Sequence, residues 1–132
     1  MRLANKILHE LGATQVFKVD WFKDPESEEE FNLLEYESAV PITWQQYQQK
    51  YPEVEQKFGT RYLRGHRDVL LQKTDWVMTA DIYQSLKNKE EWVTYRQALR
   101  DITKNPPPFV WKEGGGLDID NMSLPVQPKV IR

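Results

Sequence analysis

Arg67-Asp68-Val69-Leu70-Leu71, Thr74-Asp75-Trp76 and, after a polar link, Trp92-Val93-Thr94-Tyr95-Arg96-Gln97-Ala98-Leu99-Arg100-Asp101-Ile102 form the most informative stretch of this sequence. It breaks at Pro106-Pro107-Pro108 and reaches Trp111. The spacing predicts two helices joined by a short connection, followed by an extended segment. Trp92, Tyr95, Leu99 and Ile102 recur at helical intervals and give the second helix one buried face. Asn88-Lys89-Glu90-Glu91 supplies an N-cap residue and an acidic third residue where that helix starts. Thr79-Ala80-Asp81 opens a shorter helical segment through Leu86.

Upstream, a helix is expected from about Thr60, with Tyr62, Leu63, His66, Val69 and Leu70 as its inner stripe and an Arg64–Asp68 pair outside. Thr43-Trp44-Gln45-Gln46 has the form of a capping box, and Trp44, Tyr47 and Tyr51 fall on one face beyond it. Pro52-Glu53 reads as a restart of the helix, and Gly59 as its end or a kink. At the N-terminus Leu3, Ile7, Leu8 and Leu11 predict a short helix stopped by Gly12. Gln15 to Phe22 changes period, with Phe17, Val19 and Trp21 alternating with Lys18 and Asp20 as in a half-buried strand. Asp24 to Glu30 reads as a turn and acidic loop, and Phe31 to Ser38 as a returning strand. A helix starting near Ser27 is the alternative, since Glu28, Glu29 and Glu30 suit a helix N-terminus. Downstream, Gly114-Gly115-Gly116, Pro125 and Pro128 preclude a regular element. The expected fold is therefore α+β, with a small N-terminal strand pair, a mainly helical C-terminal half and an extended Pro/Gly-rich arm. Residues 1–112 form one small domain in this reading, and 113–132 form the arm.

The 132 residues leave room for one modest core. Hydrophobic residues are only 39% of the chain, while five Trp and six Tyr stand out. Such rings serve either as interface anchors or as the filling of a core short of aliphatics. A net charge of -2 exerts no general pull on nucleic acid or membranes, and the lack of cysteine removes disulfides, thiolate nucleophiles and thiolate metal sites. No signal peptide and no stretch of membrane-spanning length is present, which points to a soluble protein made inside the cell.

Catalysis, metal binding and cofactor binding each require side-chain patterns that this sequence does not complete. His66 lies on an apolar stripe, where a hydrogen-bonded boundary imidazole outweighs a general base, and His9 has no local partner. The triple glycine lacks the Lys-Ser/Thr of a phosphate-binding loop and is read as a flexible joint. Asp118-Ile119-Asp120 fails as a calcium loop, because Met122, Ser123 and Lys129 stand where an oxygen ligand, glycine and glutamate are required. Glu28-Glu29-Glu30 reads as solvated charge, with an electrostatic docking site as the alternative. Arg61, Arg64 and Arg67 make a basic patch that is short and contains Asp68, so nucleic acid is set aside as a partner. Arg96 and Arg100 are either a solvated face or the partners of acidic groups, in the 24–30 loop or on another chain. The expectation is a non-enzyme with no catalytic residue, no metal, no cofactor and no small-molecule substrate.

Residues 67–111, about a third of the chain, resemble the C-terminal module of bacteriophage tail assembly and tail-fibre assembly chaperones. The resemblance rests on Arg67, Asp68, Leu70, Leu71, Thr74, Asp75 and Trp76, then on Trp92, Tyr95, Arg96, Leu99, Arg100 and Asp101. The sequence departs from that pattern at Val77-Met78-Thr79-Ala80-Asp81-Ile82, and at Phe109-Val110-Trp111-Lys112 where a Trp-Pro would stand. The resemblance implies a non-enzymatic protein that binds a tail, fibre or baseplate component, in the host cytoplasm during assembly. The alternative is a permanent structural adaptor of the virion tail, baseplate or neck, which an arm stapling neighbouring subunits would suit. Multi-copy assembly is left open. Trp76, Trp92, Tyr95, Arg96, Arg100 and Trp111 are the candidate partner-binding residues, with core packing as the competing role for Trp92 and Tyr95.

Overall fold

In the computed structural model, residues 3–18, 23–113 and 115–132 are described. In chain order they form α1 (Ala4–Glu10), β1 (Ala13–Lys18), α2 (Glu28–Asn32), β2 (Glu35–Ser38), α3 (Trp44–Thr74), a 3-10 turn (Asp75–Met78), α4 (Ala80–Ser85), α5 (Lys89–Asp101) and a second 3-10 turn (Ile119–Asn121). β1 and β2 pair antiparallel as a two-stranded sheet, and the rest is mainly helical, an α+β fold as expected. The described residues contain no helix long and apolar enough to cross a membrane.

The chain divides into two compact units, residues 1–59 with 110–118, and residues 60–109 with 119–132. In the first, α1 buries Ala4, Ile7 and Leu8 and stops at Gly12, whose φ of 111° is open to glycine at little cost. Leu3 at the N-cap position offers no side-chain bond, and Asp24 substitutes for it by accepting the Ala4 N–H at 2.9 Å. At the other end the His9 Nδ1 lies 2.9 Å from the Ala13 carbonyl, a partner the local sequence does not disclose.

β1 departs from simple alternation. Pairing of Ala13 with Ser38, Gln15 with Glu37, Val16 with Tyr36 and Lys18 with Glu35 leaves Thr14 and Phe17 as extra residues. Each extra residue shifts the parity of the strand. Val16 consequently packs against the core, while Phe17, expected inside, is 64% exposed. Val19 and Trp21 lie outside the described residues.

The stretch 24–38 combines both readings of its sequence. Ser27 caps α2 by accepting the Glu30 N–H at 3.2 Å, and the Glu30 carboxylate accepts the Glu26 N–H at 3.0 Å, a reciprocal pair of caps. The returning strand is thereby confined to Glu35–Ser38, and Phe31 is a buried helical residue instead of a strand residue. Glu28, Glu29 and Glu30, read as loop, occupy the first turn of α2, where carboxylates meet the positive end of the helix.

Phe31 stands 5.7 Å from Trp44 and 5.3 Å from Tyr47, and Trp44 stacks on Tyr47 at 5.6 Å. These rings fill the centre of the first core together with Ile7, Leu8 and Val54. α3 opens with the expected capping box: Gln46 N–H donates to Thr43 Oγ1 at 3.1 Å, and Thr43 N–H to Gln46 Oε1 at 3.0 Å. It does not restart at Pro52 or end at Gly59, but runs unbroken through both to Thr74. Proline costs one backbone bond there, and fully buried Tyr47 and Val54 on either side hold the helix together. Lys50 and Lys57 of α3 both reach Glu10 of α1, at 3.7 and 2.7 Å. The hydrogen bond from Lys57 holds the Glu10 carboxyl below its usual range.

Of the stripe expected beyond Thr60, Leu63 is buried and His66 and Leu70 are half-buried, but Tyr62 and Val69 are exposed by 38% and 46%. Asp68 pairs with its neighbour Arg67 at 2.9 Å instead of with Arg64 one turn away. Between 110 and 118 the chain turns back on itself. Trp111 bridges Leu117, Asp118 N–H donates to the Val110 carbonyl at 2.7 Å, and Trp111 Nε1 donates to Glu55 at 2.9 Å.

The Tyr47 hydroxyl is buried with no hydrogen-bond partner among the described residues. Burial, then the nearby Asp24 carboxylate, push its ionisation far above the ordinary phenol range. The folded state thus keeps a proton that the unfolded chain releases above about pH 10, so stability is lost as pH rises beyond that point. Tyr47→Phe should flatten this alkaline loss in urea melts run from pH 8 to 11. At neutral pH it should cost less than about 1 kcal/mol, because no bond is removed.

Candidate interaction surface

The second unit is organised around a buried arginine. α5 turns Trp92, Tyr95 and Leu99 into a core with Val77 and Leu86, and Trp92 meets Tyr95 edge to face at 6.0 Å. Arg96 lies one position beyond Tyr95 and is only 7% exposed. Its Nη1 donates to the Leu71 carbonyl at 3.0 Å and to Thr74 Oγ1 at 2.7 Å, and its Nη2 donates to Asp75 Oδ1 at 2.6 Å. Leu71 is among the last residues of α3, whose carbonyls have no helical donor, so the guanidinium caps the helix end and meets its negative dipole. Thr74, 3% exposed, accepts from Arg96 and donates to the Leu70 carbonyl at 2.8 Å. Arg96 thus finds its acid in Asp75 of its own unit. Neither the solvated face nor the 24–30 loop considered from sequence describes it.

The Thr74-Asp75-Trp76 triplet divides its side chains between inside and outside. Thr74 and Asp75 face the arginine, while Trp76 is 52% exposed. The Trp76 carbonyl accepts both the Thr79 N–H at 3.2 Å and the Thr79 hydroxyl at 2.8 Å, which pins the backbone on the other side of the ring. A large ring is therefore held on the surface by a turn anchored at both ends.

The candidate partner-binding residues have different placements. Trp92, Tyr95 and Arg96 are buried, which gives them a packing and anchoring role in this fold. Arg100 is exposed, and Val93 and Gln97 lie on the same solvent-facing side of α5 at helical spacing. Trp111 is half-buried on Glu55 in the first unit. Burial raises the Tyr95 phenol while Arg96 opposes the rise. Among the described residues no group of three or more His, Asp or Glu is placed to hold a metal ion.

Asn88, expected from sequence to cap α5, has a different role. It occupies the N-cap position of α5 without making a cap bond. Its amide instead donates to the Lys129 carbonyl at 2.7 Å and to Glu91 at 3.2 Å, and accepts from Ile131 N–H at 3.4 Å. A contact across 41 residues leaves no periodic signal in the chain.

One arginine thus ties α5 to the end of a long helix, with an exposed tryptophan at the joint. The family described as phage tail assembly chaperone protein matches this chain over residues 60–129. That span exceeds half of the sequence and contains the whole Arg96 arrangement, and the chain belongs to this family. Its role lies in the assembly of bacteriophage tails. No curated protein and no solved structure matches the chain.

Arg96→Ala should destabilise the protein by about 2–4 kcal/mol, since the Leu71 carbonyl and Thr74 hydroxyl lose a donor and a buried stem leaves a gap. Arg96→Lys keeps the charge but loses the fork and should cost about 1–2 kcal/mol. Asp75→Asn, at a carboxylate 64% exposed, should cost under about 1 kcal/mol. Urea unfolding followed by tryptophan fluorescence orders the three. An Asp75→Asn loss equal to that of Arg96→Ala would make the ion pair, and not the helix cap, the dominant contact.

Proposed function

We propose that this chain works without catalysis, as a holding protein that binds a tail, fibre or baseplate component in the host cytoplasm while the tail is built. The observation that carries this reading is Trp76, a half-exposed tryptophan whose carbonyl is held by Thr79 and whose neighbour Asp75 is tied to Arg96. Rings presented in this way make efficient anchors, because binding orders little that is not already ordered. Arg100 offers a charged contact on the exposed side of α5. Trp92, Tyr95 and Arg96 contribute by holding that surface in shape, and Trp111 is a further anchor on the first unit.

The test pairs an exposed ring with a buried one. Trp76→Ala should keep the circular dichroism spectrum and melting temperature of the parent within a few degrees, yet reduce capture of tail components from infected-cell extracts tenfold or more. Trp92→Ala should lose about 3–5 kcal/mol of stability, and its capture should fall only together with the fold. Full capture by a folded Trp76→Ala chain would remove Trp76 from the interface. Mass spectrometry of purified particles should find no stoichiometric copy of the chain if it leaves after assembly.

A further inference from the structure

The last residues of the chain are held on Ser85–Trp92 largely through their main chain. The Lys129 carbonyl accepts from Asn88 Nδ2 at 2.7 Å and from Trp92 Nε1 at 3.2 Å. Ile131 N–H donates to Asn88 Oδ1 at 3.4 Å, and the Ile131 carbonyl accepts the Lys87 N–H at 2.7 Å. The Asn88 amide therefore meets the segment as the peptide group of a neighbouring strand would, offering a donor to one carbonyl and an acceptor to the N–H two residues on. Among side chains, Arg132 Nε donates to Ser85 Oγ at 3.2 Å. No residue from Ser123 to Arg132 is buried, and Val126 and Ile131 are 87% and 46% exposed.

Such a contact opens readily, because few apolar groups leave water when it forms. Asn88 lowers the cost further. Once the segment leaves, its Oδ1 is free to accept an amide of the first turn of α5, the cap that its position calls for and that it forgoes here. Met122, by contrast, is 8% exposed and marks the fixed end of the segment. Pro125 and Pro128 between the two ends favour an extended conformation. The six residues from 123 to 128 span roughly 20 Å when extended.

We propose that the Lys87–Trp92 site takes the C-terminal segment of a second copy of this chain in exchange for its own. The identity of the occupant follows from the fit already made within one chain: the same residues of another copy present the same carbonyls and N–H groups at the same spacing. Exchange creates no new contact and is governed by the local concentration of copies, so it favours pairing where copies are gathered on one tail component. Pairing through this site does not depend on which component gathers the copies.

Two full-length variants separate site from segment. Ile131→Pro removes the N–H that Asn88 recognises and leaves the site intact. Asn88→Asp removes the donor to Lys129, sets a carboxylate against its carbonyl, and keeps a residue able to cap α5. Each alone should remain monomeric in sedimentation equilibrium. An equimolar mixture should form a one-to-one pair with association at least tenfold stronger than in either component, and a chain carrying both substitutions should pair with neither. Asn88→Ala is the second site variant and should pair with Ile131→Pro in the same way. Mixtures that stay as monomeric as their components, while every chain melts cooperatively, overturn the proposal.

Discussion

A single guanidinium sets the geometry of the second unit. Arg96 is buried to 7% exposure, where an unpaired charge would cost several kcal/mol, and it is tolerated because three acceptors converge on it. Two of them, the Leu71 carbonyl and the Thr74 hydroxyl, belong to the end of α3, and the third is Asp75 immediately beyond. A lysine could not serve all three, since only a planar fork places two nitrogens at fixed separation. The arrangement ends a helix of 31 residues, fixes the turn that follows and seats α5 against it. Trp76 is displayed on the surface as a consequence, since its two predecessors are turned toward the arginine.

The first unit solves a different problem, that of building a core from few aliphatics. Phe31, Trp44 and Tyr47 pack as tilted and stacked rings, and α1 closes them with Ile7 and Leu8. Its helix starts are satisfied in two ways, α1 by the distant Asp24 and α2 by its own Ser27 and Glu30. The Tyr47 hydroxyl shows the cost of using a semi-polar ring at the centre, as it is buried without a partner among the described residues. This unit falls almost wholly outside the 60–129 span shared with the phage tail assembly chaperone family. What is particular to this chain therefore has room to reside there.

Much of this was legible in the chain because it is local. The Trp92-Tyr95-Leu99-Ile102 period, the Thr43–Gln46 capping box and the stop at Gly12 each depend on residues within a few positions of one another, and each appears as read. The motif linking Thr74-Asp75-Trp76 to Trp92-Tyr95-Arg96 was likewise visible, and it pointed to the family. Where local signals competed, the outcome turned on burial. Pro52 and Gly59 read as breaks, yet α3 passes through both, because packing on Tyr47 and Val54 outweighs one lost backbone bond.

The sequence by itself therefore determined the helical periods, the local Thr43–Gln46 capping box, the α+β composition and the family of this protein, since each is written in spacing along the chain. Only the tertiary structure decided that Arg96 is an anchor, that Phe17 faces outward past a bulge, and that Asn88 gives up its cap to hold residues 129 and 131. Those outcomes join groups distant in sequence or rest on the parity of a paired strand. A charged or amide side chain carries no record of which distant carbonyl will accept its proton.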